Sequence, residues 1–218
     1  MKQDWDDFWE RKNKGLLSRF LGFYRIQIIG RAINYYINTY FKPEGIFVEC
    51  GSGTSETTLK TIKKKRTFIA IDYSTSVLEY TRLNPQIDRC INADIFELPF
   101  PDNSIDGIWN VGVMEHFTLE DIEKILAEFY RVLKKDGRII LFWPMAYAPY
   151  EIFLNIVEGI FNFITKKNYH LYPDEISRLR SRKQGREILM KNNFGYVELF
   201  FNYRDAFSFG VVTGIKTV

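Results

Sequence analysis

The stretch Glu49-Cys50-Gly51-Ser52-Gly53-Thr54 decides the fold, and it follows the short apolar run Ile46-Phe47-Val48. An apolar run of this length before a glycine loop predicts a buried strand. The small residues of the loop let the backbone approach a ligand closely. A helix is expected from Thr57 to Lys64, and its first N–H groups would face that same ligand.

The alternation of strand and helix continues along the chain. It predicts strands at residues 67–72, 90–94, 105–111 and 138–143, with helices at residues 76–84 and 119–132 between them. Further helices are expected at residues 4–13, 16–41, 148–165 and 173–192. Strands at residues 196–203 and 207–216 would form an antiparallel pair. The expected fold is α/β: a doubly wound, mostly parallel seven-stranded sheet with helices on both faces and an antiparallel C-terminal edge hairpin.

Acidic residues end two of the predicted strands. In an open α/β sheet, ligands bind outside the carboxyl ends of the strands. Asp72 ends the second strand about 20 residues beyond the loop, where a carboxylate can accept from both hydroxyls of a ribose. Asp94 ends the third strand, where it can accept from an adenine amino group, and Ile95 can flank the ring. These positions predict a site for an adenosine-containing ligand.

The charge around the loop distinguishes between adenosine ligands. A dinucleotide site uses Gly-x-Gly-x-x-Gly and places a pyrophosphate on the helix N-terminus. Here Glu56 occupies the third glycine position and Glu49 precedes the first glycine. Two carboxylates would repel a pyrophosphate, at a cost of about 1 kcal/mol or more each, and would suit a cationic amino group and a sulfonium. S-adenosylmethionine (SAM) is therefore favoured over NAD, and an NAD-linked enzyme of similar topology stays open as an alternative.

Five motifs occur in order over residues 45–143: Val48–Thr54, Ile71-Asp72, Asn92-Ala93-Asp94, Leu98–Asp106 and Leu133–Arg138. Together they resemble class I SAM-dependent methyltransferases, above all the branch that includes the ubiquinone and menaquinone methyltransferases and many small-molecule methyltransferases. We expect one domain over residues 1–218. It would comprise an N-terminal helical lid (1–42), a SAM-binding core (45–143), an acceptor-side helical insertion (144–195) and a C-terminal strand pair (196–218).

The resemblance also implies roles for individual residues. Glu49, Gly51, Ser52 and Gly53 would line the methionine end of SAM, Asp72 would bind the ribose, and Tyr73 would lie near the adenine. Asp94 and Ile95 would hold the adenine, and Asn110 would sit under the methionine part. The chain departs from the family where Ser55 replaces a frequent third glycine. The implied reaction is methyl transfer to a small molecule, most simply to a hydroxyl oxygen in an aromatic or apolar pocket. A non-catalytic partner subunit is a further alternative, which the three retained carboxylates disfavour.

Glu115 and His116 follow the fourth predicted strand directly, at the rim of the expected pocket. Imidazole changes charge near neutral pH, so His116 is a candidate general base, with Glu115 as a second catalytic candidate. The alternative is that both residues cap the next helix or join loops by hydrogen bonds. His170, in the C-terminal region, is a weaker candidate for the same role.

Composition limits the other classes of function. The 218 residues carry a net charge of +3, which gives no case for nucleic acid, and their two cysteines, Cys50 and Cys90, suit a reducing compartment. With two histidines and no Cys-x-x-Cys pair, no metal site is expected. We therefore expect a cytoplasmic protein, monomeric or homodimeric, that uses SAM and no metal.

Aromatic residues make up 17% of the chain, more than a core of this size needs. Those near the N-terminus and in residues 143–164, including Tyr147, could line an apolar acceptor pocket, although aromatic residues at helical spacing are more often core. Residues 16–42 and 150–167 mix basic and apolar residues, so peripheral contact with a lipid surface is a further expectation. Polar residues interrupt the second segment, which excludes a membrane span.

Overall fold

Seven strands form one sheet in the computed structural model, which describes residues 22–149 and 175–218 together with residues 159, 162, 163 and 166. The strands are Glu44–Cys50 (β1), Lys65–Asp72 (β2), Arg89–Asn92 (β3), Ile105–Val111 (β4), Leu133–Pro144 (β5), Phe194–Phe200 (β6) and Phe209–Lys216 (β7). Their order in the sheet is β3-β2-β1-β4-β5-β7-β6. The first five are parallel, and β7 runs antiparallel to both β5 and β6. The predicted fold class, including the antiparallel edge, is confirmed.

Helices cover the two faces of this sheet. They are Gly30–Tyr40 (α1), which continues the π-helical turn Arg25–Ile29, and Thr75–Thr81 (α2), Leu119–Val132 (α3) and Arg182–Lys191 (α4). Short 3-10 turns occupy Glu56–Lys60, Met114–His116 and Tyr203–Asp205. Among the described residues, no helix is both long and apolar enough to cross a bilayer.

Alternating strand residues bury two separate cores, because successive side chains of a strand point to opposite faces. On one face, Ile33, Tyr36 and Ile37 of α1 pack with a cluster that includes Phe47 and Phe142. On the other face, α3 places its apolar stripe against the neighbouring residues of the same strands. That stripe comprises Ile122, Ile125, Leu126 and Phe129. The sheet is thereby fixed from both sides, and its carboxyl edge stays open for the loops.

The helix predicted from Thr57 to Lys64 is wrong in length, since the structure has only the 3-10 turn Glu56–Lys60. Threonine is a poor helix former, and Thr57, Thr58 and Thr61 are all buried here. The Ile62 N–H donates to the side chain of Asn34, at 2.7 Å, instead of to a helical carbonyl. Tertiary hydrogen bonds therefore end this helix early.

The helix predicted over residues 173–192 is also shorter, and it begins at Arg182 after the N-cap Ser181. The described residues before it are extended. The N–H of Leu179 donates to Pro144 O (3.0 Å), and the N–H of Ala146 donates to Leu179 O (2.8 Å), so this segment pairs beside the end of β5.

The predicted division of the domain is described only in part. Residues 22–40 of the predicted lid are helical and pack on the sheet face. The helix predicted at 4–13, the start of that predicted at 16–41, most of that predicted at 148–165 and His170 lie outside the described residues. The division into lid, core and insertion stays a prediction.

Candidate functional site

The candidate site lies where β1, β2, β3 and β4 end side by side. Their last residues are Cys50, Asp72, Asn92 and Val111. Asp72 pairs with Asn92 across β2 and β3 in the parallel register. The residues predicted to bind the cofactor therefore lie along one edge of the sheet, as the topology requires.

The loop after β1 depends on its glycines. Gly51 and Gly53 have φ values of +65° and +52°, in the left-handed region that glycine adopts without a steric penalty. A Cβ on Gly51 would lie 2.7 Å from a methyl carbon of Val113, because the loop after β4 packs directly against the glycine loop. The Ser52 N–H donates to Ile71 O at 2.9 Å and ties the loop to β2. Ser55, in the position of the missing third glycine, itself adopts a φ of +49°.

Asp72 is held in place by two backbone donors. Its Oδ2 accepts from the Gly53 N–H at 2.8 Å, and its Oδ1 accepts from the Ser74 N–H at 2.9 Å. Each carboxylate oxygen can accept more than one hydrogen bond. Because the side chain is partly exposed at the edge, a ribose diol can approach it. The first of these bonds joins the ribose position directly to the glycine loop.

Two residues after β2 and β3 complete the adenosine end. Tyr73 is 56% exposed, and Asn92 Nδ2 donates to its carbonyl at 2.7 Å. Asp94 Oδ1 accepts from the Phe96 N–H at 3.1 Å, which orients the carboxylate in a turn. Ile95 packs partly buried against the core beside it. These placements agree with the roles expected for an adenine site, which stay predictions.

Phe96 is a candidate that sequence reasoning missed. Its ring is 37% exposed and meets the ring of Phe117 edge-on, with 5.5 Å between centroids. The pair joins the loop after β3 to the loop after β4 and forms an apolar wall next to Asp94. An aromatic residue two positions after the acid was the available signal.

Glu49 lies beneath the loop, with 2% of its surface exposed. Its Oε2 accepts from Ser55 Oγ at 2.8 Å and from Thr58 Oγ1 at 3.0 Å. Burial raises the pKa of Glu49 to about 7, although these hydroxyls and Arg25 lower it in part. The Glu49 carboxyl is thus enclosed by the loop and by two hydroxyl donors, and its predicted place at the methionine end of SAM stays a prediction.

Asn110 is also fully buried, on β4. Within the described part of the chain, neither its Nδ2 nor its Oδ1 has a hydrogen-bond partner, and the same is true of Thr54 Oγ1 in the glycine loop. A buried polar group left unsatisfied costs about 1–3 kcal/mol. Ser52 is only 7% exposed. The loop thus surrounds buried polar atoms that can still form hydrogen bonds.

Glu115 and His116 lie together in the 3-10 turn after β4. The side chain of Glu115 is buried, and its Oε1 lies 3.8 Å from His116 Nε2. The carboxylate therefore stabilises the imidazole when that ring carries a proton. The helix after this turn is capped by Thr118, whose Oγ1 accepts from the Asp121 N–H, so neither Glu115 nor His116 serves as its N-cap.

A second segment, which no pattern in the sequence predicted, holds this turn in place. The backbone N–H groups of Ile176 and Ser177 both donate to Glu115 O, at 2.6 and 3.0 Å. Ser177 Oγ donates to Phe117 O at 2.6 Å, and Trp143 Nε1 donates to Ser177 O at 2.6 Å. The position of His116 thus depends on the segment before α4 and on the end of β5.

The residues present fit SAM. The glycines with positive φ allow close approach, Asp72 offers a preorganised acceptor for a diol, and Glu49 places under the loop a carboxyl that a cationic ligand would favour in its charged form. Glu56, which forms an ion pair with Arg25 at 3.0 Å, stands where a pyrophosphate site needs glycine. No group of three metal-ligating side chains occurs among residues that the structure describes.

The sequence of the chain is similar to those of known methyltransferases. A family model described as a methyltransferase domain matches residues 48–141. Demethylmenaquinone methyltransferase of Symbiobacterium thermophilum is 30% identical over 115 residues, which cover 49% of this chain and 45% of that protein. The matches to eight curated relatives cover between 33% and 69% of those proteins' lengths.

Solved structures show the same fold over nearly the whole chain. A SAM-dependent methyltransferase of Thermotoga maritima superposes with a TM-score of 0.67 at 19% identity, over 98% of this chain and 99% of the other. A chain from the complex between the Trm112 methyltransferase activator and a methyltransferase of Haloferax volcanii gives a TM-score of 0.69 at 15% identity, over 100% of both chains. The family model therefore identifies residues 48–141 as a methyltransferase domain, and the solved structures show that the chain has the fold of SAM-dependent methyltransferases.

Proposed function

We propose that this protein transfers the methyl group of SAM to a hydroxyl oxygen of a small molecule held in an apolar, aromatic pocket. The observation that carries the cofactor assignment is the Asp72 carboxylate, fixed by the N–H groups of Gly53 and Ser74 beside a loop of positive-φ glycines. Asp72 would accept from the ribose hydroxyls, and Asp94 from the adenine amino group, with Ile95 and Tyr73 flanking the ring. Gly51, Ser52, Gly53 and Asn110 would surround the methionine part.

An aromatic cluster supports the choice of an apolar acceptor. The rings of Tyr147 and Phe207 each meet Phe201 nearly edge-on, with 5.5 Å between centroids. Tyr147 and Phe207 are 47% and 41% exposed. The cluster lies just beyond β5 and between β6 and β7, at the same edge of the sheet as the cofactor residues. A planar or apolar acceptor would bury these rings.

The chemistry requires alignment and one proton acceptor. SAM supplies an electrophilic methyl group whose sulfur leaves with the bonding electron pair. The protein contributes by orienting the acceptor oxygen in line with the methyl carbon and excluding water. The His116 imidazole would take the hydroxyl proton, and the buried Glu115 carboxylate, 3.8 Å from His116 Nε2, would stabilise the imidazolium formed. Glu115 is thus a positioning residue in this proposal.

Calorimetry with SAM, followed by transfer of a labelled methyl group, tests the proposal. Phenols, quinols, sugars, amines and fatty acids cover the acceptor classes, and labelling of an apolar phenol or quinol is the expected result. Labelling restricted to amines would remove the hydroxyl assignment. Binding of NAD without SAM would remove the methyltransferase mechanism altogether.

His116→Ala is expected to lower kcat by about a hundredfold or more, since positioned general bases contribute about 10²–10⁴. The Kd for SAM should stay within about twofold, because His116 follows the strand end instead of lining the glycine loop. Measured turnover with the acceptor from the screen, beside calorimetry, separates these effects. The matched variant Glu115→Gln should lower kcat less and leave SAM binding unchanged. Near-normal turnover in His116→Ala at every pH would show that no base acts there.

The affinity for SAM is expected to rise with pH up to about 7. Since burial raises the pKa of Glu49 to about 7, the free protein holds this group neutral at lower pH. A bound cation favours the carboxylate and lowers its pKa, so binding releases a proton and weakens by up to about tenfold per pH unit below 7. Calorimetry in two buffers of different ionisation enthalpy counts that proton. Glu49→Gln should abolish both effects, and a flat pH profile in the unmodified protein would contradict the proposed charge coupling.

A further inference from the structure

The layer formed by α1, the Glu56–Lys60 turn and α2 exposes apolar side chains where an ordinary surface would be polar. Ile62 is 62% exposed, Leu83 79%, Tyr80 53% and Leu59 37%. These residues come from two neighbouring segments on one face of the sheet. This surface also carries exposed lysine and arginine side chains, and we call it the basic face. It comprises Arg31, Leu59, Lys60, Ile62, Lys64, Lys65, Tyr80, Arg82, Leu83 and Arg89.

Hydrogen bonds and close packing make this surface continuous. The Ile62 N–H donates to Asn34 of α1 at 2.7 Å, and a Cβ on Gly30 would lie 3.5 Å from Lys60 Cγ. On the other side, Lys63 pairs with Asp88 at 2.5 Å. The turn therefore sits against α1 and also reaches the loop that follows α2. The exposed residues of the basic face share one rigid support.

The charge of this surface is strongly positive. Residues 57–71 contain four lysines and one arginine and no acidic residue. Arg66 points inward, whereas Lys60, Lys64 and Lys65 are exposed. Three further exposed cations flank them: Arg31, Arg82 and Arg89. Of the nearby acids, Glu56 pairs with Arg25 and Asp88 with Lys63, whereas Glu79 of α2 and Glu44, which neighbours Lys65 across β1 and β2, are exposed. The six exposed cations of the basic face outnumber these two acids.

We propose that the basic face binds the surface of an anionic phospholipid bilayer. Cations near such a surface gain from its negative potential, by about fivefold in partition coefficient for each Lys or Arg. Protruding aliphatic side chains enter the boundary between headgroups and acyl chains. A nucleic acid would share the charge preference, but it offers no apolar medium for Ile62 and Leu83 and is instead bound through stacking aromatic residues and polar contacts. The combination of aliphatic and basic residues therefore favours lipid. The inference is independent of the proposed methyl acceptor.

Co-sedimentation of the full chain with vesicles tests the proposal. Binding is expected to vesicles of phosphatidylcholine mixed with phosphatidylglycerol and to be at least about tenfold weaker to phosphatidylcholine alone. The triple variant Lys60→Gln, Lys64→Gln, Lys65→Gln should lose at least about tenfold in binding to the anionic vesicles. The double variant Ile62→Ser, Leu83→Ser should also bind more weakly while keeping its response to salt.

Lys183→Gln with Met190→Ser is the matched control, because both residues are exposed on α4 at the opposite face of the sheet. It should bind vesicles as the unmodified protein does. Circular dichroism and Tm identify any variant that has not folded, and the charge and apolar variants serve as independent tests. Absence of binding to anionic vesicles overturns the proposal. So does equal binding by all variants, and so does binding to an RNA oligonucleotide without binding to vesicles.

Discussion

Asp72→Ala is expected to raise the Kd for SAM by at least about a hundredfold. A hydrogen bond to a charged group contributes about 1.5–3 kcal/mol, and a ribose diol would lose two of them. The substitution also removes the acceptor of the Gly53 and Ser74 N–H groups, so the glycine loop keeps the backbone bond from Ser52 to Ile71 but loses its second hydrogen bond to β2. Both effects reduce affinity. Calorimetric titration with SAM measures the change.

Asp106→Ala provides a matched control for the Asp72 variant. Asp106 also accepts a backbone hydrogen bond, from the Ile46 N–H at 2.8 Å, and pairs with Lys134, but it lies near the start of β4 at the opposite edge of the sheet. Its loss should lower stability and leave the affinity of the folded protein for SAM within about twofold. If Asp72→Ala bound SAM as tightly as Asp106→Ala does, the ribose would not be held at Asp72.

Arg66→Met is expected to lower the free energy of unfolding by about 3–5 kcal/mol. Arg66 is 3% exposed, and its guanidinium donates to four backbone carbonyls and to one side chain. The acceptors are the carbonyls of Ile37, Phe41, Lys42 and Ile62 and Asn38 Oδ1, at 2.6–3.3 Å. Three of these carbonyls belong to the end of α1 and the residues after it. Methionine fills similar space but leaves these acceptors without a donor.

Denaturant unfolding of Arg66→Met beside Lys65→Met measures this contribution. Lys65 is the neighbouring residue of β2 and is exposed, so its substitution should change stability by no more than about 0.5 kcal/mol. Equal stability of the two variants would mean that Arg66 does not fix the end of α1. Loss of α1 packing should also be visible as weaker near-ultraviolet dichroism, because Tyr36 lies in the adjoining core.

The strand pattern could be predicted from the sequence because buried parallel strands leave a strong signal. Ile105–Val111 and Leu119–Val132 were predicted with the bounds that the structure shows. The strand is a short apolar run after a turn, and the helix has apolar residues at a period of about 3.6 after a threonine cap. The strand pattern also placed Asp72 at the end of β2, as the structure has it, and Asp94 at the end of the third strand, whereas β3 ends two residues earlier, at Asn92. Their roles toward a ligand stay predictions.

Contacts distant in sequence could not be predicted in this way. The extended segment at Ile176 and Ser177 is held by the carbonyl of Glu115, about 60 residues away. Likewise, the turn at Glu56–Lys60 ends early because the Asn34 side chain accepts a hydrogen bond from the Ile62 N–H. The helix propensity of a segment depends on its own residues and contains no information about hydrogen-bond partners distant in sequence. The burial of Glu49 was missed for the same reason, since Ser55 and Thr58 fold over it.

Calorimetric titration of the unmodified protein with SAM and, separately, with NAD tests the central claim most directly. Glu49 ahead of the loop and Glu56 in place of the third glycine of a dinucleotide site predict saturable binding of SAM and weak or undetectable binding of NAD. S-adenosylhomocysteine should also bind, at the same site and in competition with SAM. Tight binding of NAD together with no heat from SAM would contradict the account.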